Sequence, residues 1–358
     1  MLKITAGLVK NIVMNKFFLS WLLFLISLVA SGQQQSFEKE FFFTDQAVLP
    51  VTLVTSMNKI LGYSNPQKVS RYPARFTCRL PDSTTISQQV QLEIRGHYSR
   101  ENCYVPPLRV IFTKNDSTAS PFSSLKKLKL VNGCRQNNIY SQYLLMEFLT
   151  YKIFNLLTEK SFRVRLTETT YIDSSAKKKP VKTYAFFIED VKELAKRNNC
   201  REYTAGKPKT EMTDRKQITL VALFQYMIGN TDWSVTGKHN IKTIISREDA
   251  MSKLYVIPYD FDYSGLINTS YAIPNPELEI KAVTERLYRG FPRTMEELNE
   301  SLAIFIKQKD SIFSLINNFE LLSVTNKKYM INYLDYFYSL VKDPRDVKYT
   351  FINGARTE

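Results

Sequence analysis

Three breaks in the chain gather side chains that could do chemistry: Gly229-Asn230-Thr231-Asp232-Trp233, Lys238-His239-Asn240 and Pro258-Tyr259-Asp260-Phe261-Asp262. Carboxylate and amide oxygens are the ligands magnesium prefers, with water and phosphate completing its shell. A carboxylate held off the metal can orient a hydroxyl nucleophile or accept its proton. Paired carboxylates also serve glycoside hydrolysis, but that chemistry leaves Asn240 and the upstream Lys129 without a task. The sequence has only two histidines, His97 and His239, which argues against a histidine metal site or a Ser-His-Asp triad. His239 reads as a structural hydrogen-bonding group. The plainer alternative is that Asp232, Asp260 and Asp262 simply close turns.

Local pattern brings these breaks together. Asp232 follows an apolar-rich helix over 216–229, Asn240 opens a strand at 241–245, and Asp260 ends its hairpin partner at 254–258. Two hairpin ends and a preceding loop can converge at one point. Upstream, short alternating runs at 48–54, 75–80, 90–95, 108–112 and 128–131 read as strands of an antiparallel sheet. A helix over 141–157 and further strands at 162–171 and 183–188 follow. Glu147 sits between Met146 and Phe148 near the apolar face of that helix. A carboxylate there needs a partner, and Lys129 is a sensible one, unless Lys129 faces solvent beside Lys126 and Lys127. Residues 196–213 read as an exposed polar loop, and 295–308, 311–322 and 327–341 as helices. The fold class is α+β: a mainly antiparallel β N-terminal lobe over 33–190 and a mainly helical lobe with the chemical loops over 191–358.

In this order the motifs resemble the spore-coat CotH family of atypical kinases and, more distantly, the HipA-type kinases. The quoted segments match that family's Asn-x-Asp, later Asn, and Pro-x-Asp-x-Asp pattern. Leu92-Glu93-Ile94-Arg95-Gly96-His97-Tyr98-Ser99-Arg100 resembles its phosphate-side Arg-Gly-x-Ser-Ser-Arg segment, and Leu128-Lys129-Leu130 its lysine strand. The match runs from about 90 to 265. The resemblance implies a two-lobed, protein-kinase-like fold holding ATP through Mg2+ or Mn2+. In it, Asp232 is the base or hydroxyl-positioning group. Asn240 and Asp260 hold the metal, with Asp262 a second ligand. Lys129 neutralises phosphate with Glu147 as its partner, and Arg95, Ser99 and Arg100 cradle it. Phe187-Ile188-Glu189-Asp190 lies at the hinge, so Glu189 falls beside the adenine. The implied activity is phosphoryl transfer from ATP to a protein hydroxyl; the alternative is a pseudokinase-like envelope adaptor that binds a partner. Two departures stand out. Asp232 and Asn240 are eight residues apart, so a loop insertion must be absorbed, and Gly96 stands alone where a glycine-rich loop would be.

Composition sets the wider frame. Of 358 residues, 44% are hydrophobic, enough to bury a sizeable core. The net charge is +15, lowered by three in the mature chain because Lys3, Lys10 and Lys16 lie in the leader. Such a balance attracts phosphate or other anions. The charge is spread, however, and its densest run, Lys177-Lys178-Lys179, follows turn residues, which argues against a nucleic-acid partner. Lys16, an apolar run over 17–30 and the small residues Ala30-Ser31-Gly32 form a signal peptide over 1–32, cleaved before Gln33. Met14-Asn15-Lys16 resembles a natural start. The protein is expected to be exported, periplasmic or extracellular, with no stable membrane span after cleavage. Cys78, Cys103, Cys134 and Cys200 can then form two disulfides by three pairings, or remain buried thiols.

Overall fold

The computed structural model of the chain describes residues 42–61, 70–95, 103–112, 125–133, 135, 137–249 and 251–356. The expected leader, together with Gly96, His97, Ser99, Arg100 and Cys134, lies outside the described residues.

The first half alternates apolar and polar residues because each strand has one face in a core. In chain order it forms β1 (Leu49–Thr55), a short helix α1 (Met57–Leu61), β2 (Arg71–Arg79), β3 (Thr85–Ile94), β4 (Leu108–Phe112), β5 (Lys127–Asn132), helix α2 (Asn138–Leu157), β6 (Val164–Asp173) and β7 (Val181–Ile188). The strands close into a barrel in the order β1-β2-β3-β4-β5-β7-β6. Six neighbouring pairs are antiparallel. With seven strands, an odd number, the closing pair must then run parallel. It does: β1 lies beside β6 from Leu49↔Thr167 to Thr55↔Asp173.

This overturns the expected fold class. The N-terminal half is a closed barrel with one parallel pair among seven, and not the open antiparallel sheet of a two-lobed, kinase-like fold. Closure leaves no unpaired barrel edge, and the barrel fills with Leu53, Phe76, Leu92, Val110, Leu130 and Phe187. β6 and β7 are buried on both faces. Tyr171, Ala185 and Phe187 point into the barrel, whereas Val164, Leu166, Phe186 and Ile188 join the larger core that contains α2.

The remaining chain forms α3 (Val191–Arg197), β8 (Cys200–Glu202), α4 (Arg215–Ile228), β9 (Ile241–Ser246), β10 (Tyr255–Pro258), α5 (Met295–Asn317), α6 (Val324–Leu340) and α7 (Pro344–Val347). β10, β9 and β8 make a separate three-stranded sheet, so the expected loop at 196–213 contains a strand. The two helices expected around 295–322 are one helix, capped by the Thr294–Glu297 box, because Gln308-Lys309-Asp310 is polar without a breaker. Helix α2 packs on β6 and β7 and also against α5, so it is buried nearly all round and carries Glu147 inward at 5% exposure. Cys103 is disulfide-bonded, while Cys78 and Cys200 are buried free thiols. No helix among the described residues is long and apolar enough to cross a membrane.

Phe187 is fully buried in the barrel against Phe42 and Phe76. Phe187→Ala should destabilise the protein by about 3–5 kcal/mol, read as a lower urea midpoint at unchanged m-value. A loss under about 1 kcal/mol would contradict this packing.

Candidate functional site

Helix α4 starts at Asp214, whose side chain accepts from the Gln217 N–H at 2.8 Å, and ends at Gly229 with φ 64. Glycine is required there: a Cβ would sit 2.0 Å from the Tyr333 hydroxyl, in a left-handed conformation that L side chains rarely adopt. Asn230, 1% exposed, then forms a small turn. Its Nδ2 donates to Gln225 Oε1 at 3.0 Å, and its Oδ1 accepts the Asp232 N–H at 2.9 Å. This fixes the backbone that presents Asp232.

The eight-residue spacing to Asn240 is absorbed by a paired loop. Ser234 and His239 exchange two backbone hydrogen bonds of 3.0 Å, which return the chain to its starting point. Asn240 Nδ2 donates to the Asp232 backbone oxygen at 2.9 Å and to its Oδ2 at 2.8 Å, while His239 Nε2 lies 2.7 Å from Asp232 Oδ1. The hairpin of β9 and β10 brings in the third break. Ile241 pairs with Pro258, and the Tyr259 N–H donates to the Asn240 carbonyl at 3.0 Å. Asn240 and Asp260 both adopt positive φ, 50 and 68, a conformation that Asn and Asp tolerate better than most residues.

Helix α2 holds the far side. Tyr151 Oη accepts the Asp260 N–H at 2.8 Å, and Glu147 Oε1 accepts the Phe261 N–H at 3.4 Å. Phe261 locks the segment into the core against Tyr151 and Phe224. Glu147 is therefore not the ion-pair partner of Lys129 that the sequence suggested; it braces the Asp260–Phe261 backbone. Lys129, in the middle of β5, instead lies over the Tyr259 ring at 4.4 Å.

Arg95, Lys129, Glu147, Asp232, Asn240, Asp260 and Asp262 all line one cavity of about 550 Å³. Glu189 does not join them. It makes a two-point ion pair with Arg197, at 2.9 and 3.0 Å, and accepts the Arg163 N–H at 3.1 Å, so it staples β7 to α3. The cavity also holds groups that sequence reasoning missed. Tyr271 donates to Asp262 Oδ2 at 3.1 Å and stacks on Tyr140. Tyr151 gave no signal because a tyrosine in an apolar helix reads as core, and Tyr271 because it stands alone after the polar run Asn268-Thr269-Ser270.

Both signs of charge line the cavity. Burial first, then Arg95 and Lys242, push the Lys129 ammonium down to about 7. Burial, then Arg109, also lowers Arg95. Among the acids, burial, then Asp260, raises Asp262 to about 8, and burial, then Asp262 and Asp260, raises Glu147 well above the carboxylate range. Asp260 is raised by burial against the pull of Arg95 and Lys129. It lies among protein atoms yet keeps an exposed face toward the cavity, so solvent screens its couplings. Among the described residues no three His, Cys, Asp or Glu side chains stand together as a metal cage. The donor set still fits magnesium, which commonly binds one or two carboxylates and completes its shell with substrate phosphate and water. Asn240 uses both of its Nδ2 bonds on Asp232, which leaves its amide oxygen as a further acceptor.

No protein-family model matches the chain, and no curated protein matches it either.

The Asp262 shift has a definite consequence for stability. An acid whose folded-state pKa is about 8, against about 4 unfolded, keeps a proton that the unfolded chain has lost. Folding is therefore increasingly penalised as pH rises from about 4 to about 8. Asp262→Asn removes that penalty. Without ligand, its melting temperature relative to wild type should climb between pH 5 and pH 9; a pH-independent difference would contradict the assignment.

Proposed function

We propose that this protein is a phosphotransferase that moves the terminal phosphoryl group of ATP to a hydroxyl acceptor, such as a protein side chain, with Mg2+ or Mn2+. The observation that carries this reading is one cavity lined both by the basic Arg95 and Lys129 and by the acidic and amide Asp232, Asn240, Asp260 and Asp262. Positive groups that crowd and lower each other suit phosphate oxygens. Crowded carboxylates suit a divalent cation, which would offset their mutual repulsion and the phosphate charge. The reading rests on this site and not on fold analogy.

In the step itself, the acceptor oxygen bonds to the terminal phosphorus as the bond to the bridging oxygen breaks. ADP leaves, and the acceptor proton passes to Asp232. Asn240 and His239 orient the Asp232 carboxylate through the bonds at 2.8 and 2.7 Å. Asn240, Asp260 and Asp262 would hold the cation. Lys129 and Arg95 bind phosphate oxygens, and Glu147 and Tyr151 keep the Asp260 backbone in place. Export of the chain, expected from residues 1–32, belongs to the same proposal.

One observation favours a second reading, a nucleotide-holding adaptor without transfer. Both Asp232 carboxylate oxygens are already engaged, by His239 and by Asn240.

Two measurements separate these readings. Wild type should incorporate label from terminally labelled ATP with magnesium or manganese, and Asp232→Ala and Asp260→Ala should each lower it at least ~100-fold. Equal labelling by all three would exclude transfer by this site. Saturating nucleotide should stabilise wild type by about 2.7 kcal/mol at a hundred times its dissociation constant. Stabilisation without labelling selects the adaptor, and neither effect excludes both readings.

A further inference from the structure

The Asp232 loop borders more than the nucleotide cavity. A hollow of about 290 Å³ is lined by Asp232, Trp233, Ser234, His239 and Arg289. Trp233, Ser234 and Arg289 also line a third cavity of about 400 Å³, whose wall includes Tyr288 and Arg293. From the nucleotide cavity to this third one, each space shares residues with the next.

The third cavity carries more positive than negative charge. Arg289 donates through Nη1 to the carbonyls of Thr231 and Trp233, the latter at 2.8 Å. Arg293 donates to Thr219 Oγ1 at 2.6 Å and to the Pro292 carbonyl at 2.8 Å. All four acceptors are neutral, and neither arginine forms an ion pair among the described residues. Glu297, the acid nearest in effect to Arg293, is committed to Arg215. Lys209, Glu211 and Arg356 also line the cavity, so cations outnumber acids on its wall. Two donors of residues in this wall are also buried without a partner among the described residues. Trp233 Nε1 and Tyr288 Oη have no hydrogen-bond partner, although these residues are 6% and 4% exposed and both line the cavity. Buried donors in folded proteins are ordinarily paired, and guanidinium groups favour planar oxyanions. The fit is close around Tyr288: a Cβ at Gly290 would lie 2.2 Å from its hydroxyl.

We propose that this cavity is an oxyanion subsite that seats a carboxylate or phosphate group carried by the acceptor, so that the acceptor is acidic near its reacting hydroxyl. This rests on the phosphotransferase reading for the word acceptor; the oxyanion site itself does not.

The chain supplies its own probe. Its two tryptophans are Trp21, in the expected leader, and Trp233, so cleavage, or Trp21→Phe in the uncleaved chain, leaves Trp233 as the sole indole reporter. In that background, inorganic phosphate should change tryptophan fluorescence saturably. Arg293→Gln should weaken this binding by about 10-fold or more, as expected for lost hydrogen bonds to a charged group. Arg289→Gln removes the other guanidinium on this wall and should weaken binding comparably. A serine peptide flanked by glutamates should compete with phosphate, and its glutamine-flanked counterpart should not. Absence of a saturable phosphate response, or one unchanged by both substitutions, overturns the subsite. Phosphate binding without competition by the acidic peptide overturns its assignment to the acceptor and leaves a site for the free ion. None of these titrations uses nucleotide. A protein that binds the acidic peptide but transfers nothing would refute the phosphotransferase reading and leave the oxyanion site standing.

Discussion

The site depends on two hydrogen bonds from the buried helix α2 to the backbone just past β10. Tyr151 Oη takes the Asp260 N–H and Glu147 takes the Phe261 N–H. They hold Asp260 in a left-handed conformation, with φ 68, that few residues adopt without support, at a cost of order 1–3 kcal/mol. Because α2 also packs on β6 and β7, the same contact fixes the distance between the barrel, which carries Lys129 and Arg95, and the loops that carry the oxygen donors. A buried glutamate without a cationic partner is costly. Burial and the neighbouring Asp262 and Asp260 raise the pKa of Glu147 well above the carboxylate range, which favours the neutral acid.

Electrostatics organises the cavity in a way that packing alone would not. Arg95, Lys129, Glu147 and Asp262 are each shifted away from the charged form, first by burial and then by a like-charged neighbour. Perturbed groups lining one cavity are the usual mark of a functional centre. The strain and the crowded charge are costs to folding, and phosphate and a cation would relieve the electrical part.

Much of this was legible in the sequence because it is local. The hairpin of β9 and β10 announces itself by two apolar runs, and its register alone brings Asn240 beside Asp260. The β4 strand at 108–112 is where alternation places it. Barrel closure was not legible, because an open sheet and a closed one share the same period of two, and the pairing of β1 with β6 joins residues such as Leu49 and Thr167 that have no local signature of contact. The role of Glu147 was half legible: its apolar neighbours show that it is buried, but not that its partner is a backbone N–H. The side chain of Glu189 is paired with Arg197, eight residues on, a contact that no pattern in the sequence announced. β8 is three residues long and partly exposed, too short for any pattern to reveal.

The most direct measurement is a crystal structure with a non-hydrolysable ATP analogue and Mn2+, using anomalous scattering to place the metal. The expected peak lies within bonding distance of the Asn240 amide oxygen and an Asp260 carboxylate oxygen, with the terminal phosphate reaching Lys129. Nucleotide and manganese bound away from these residues, or a peak with no ligand from Asn240, Asp260 or Asp262, would contradict the convergence on which the proposed activity stands.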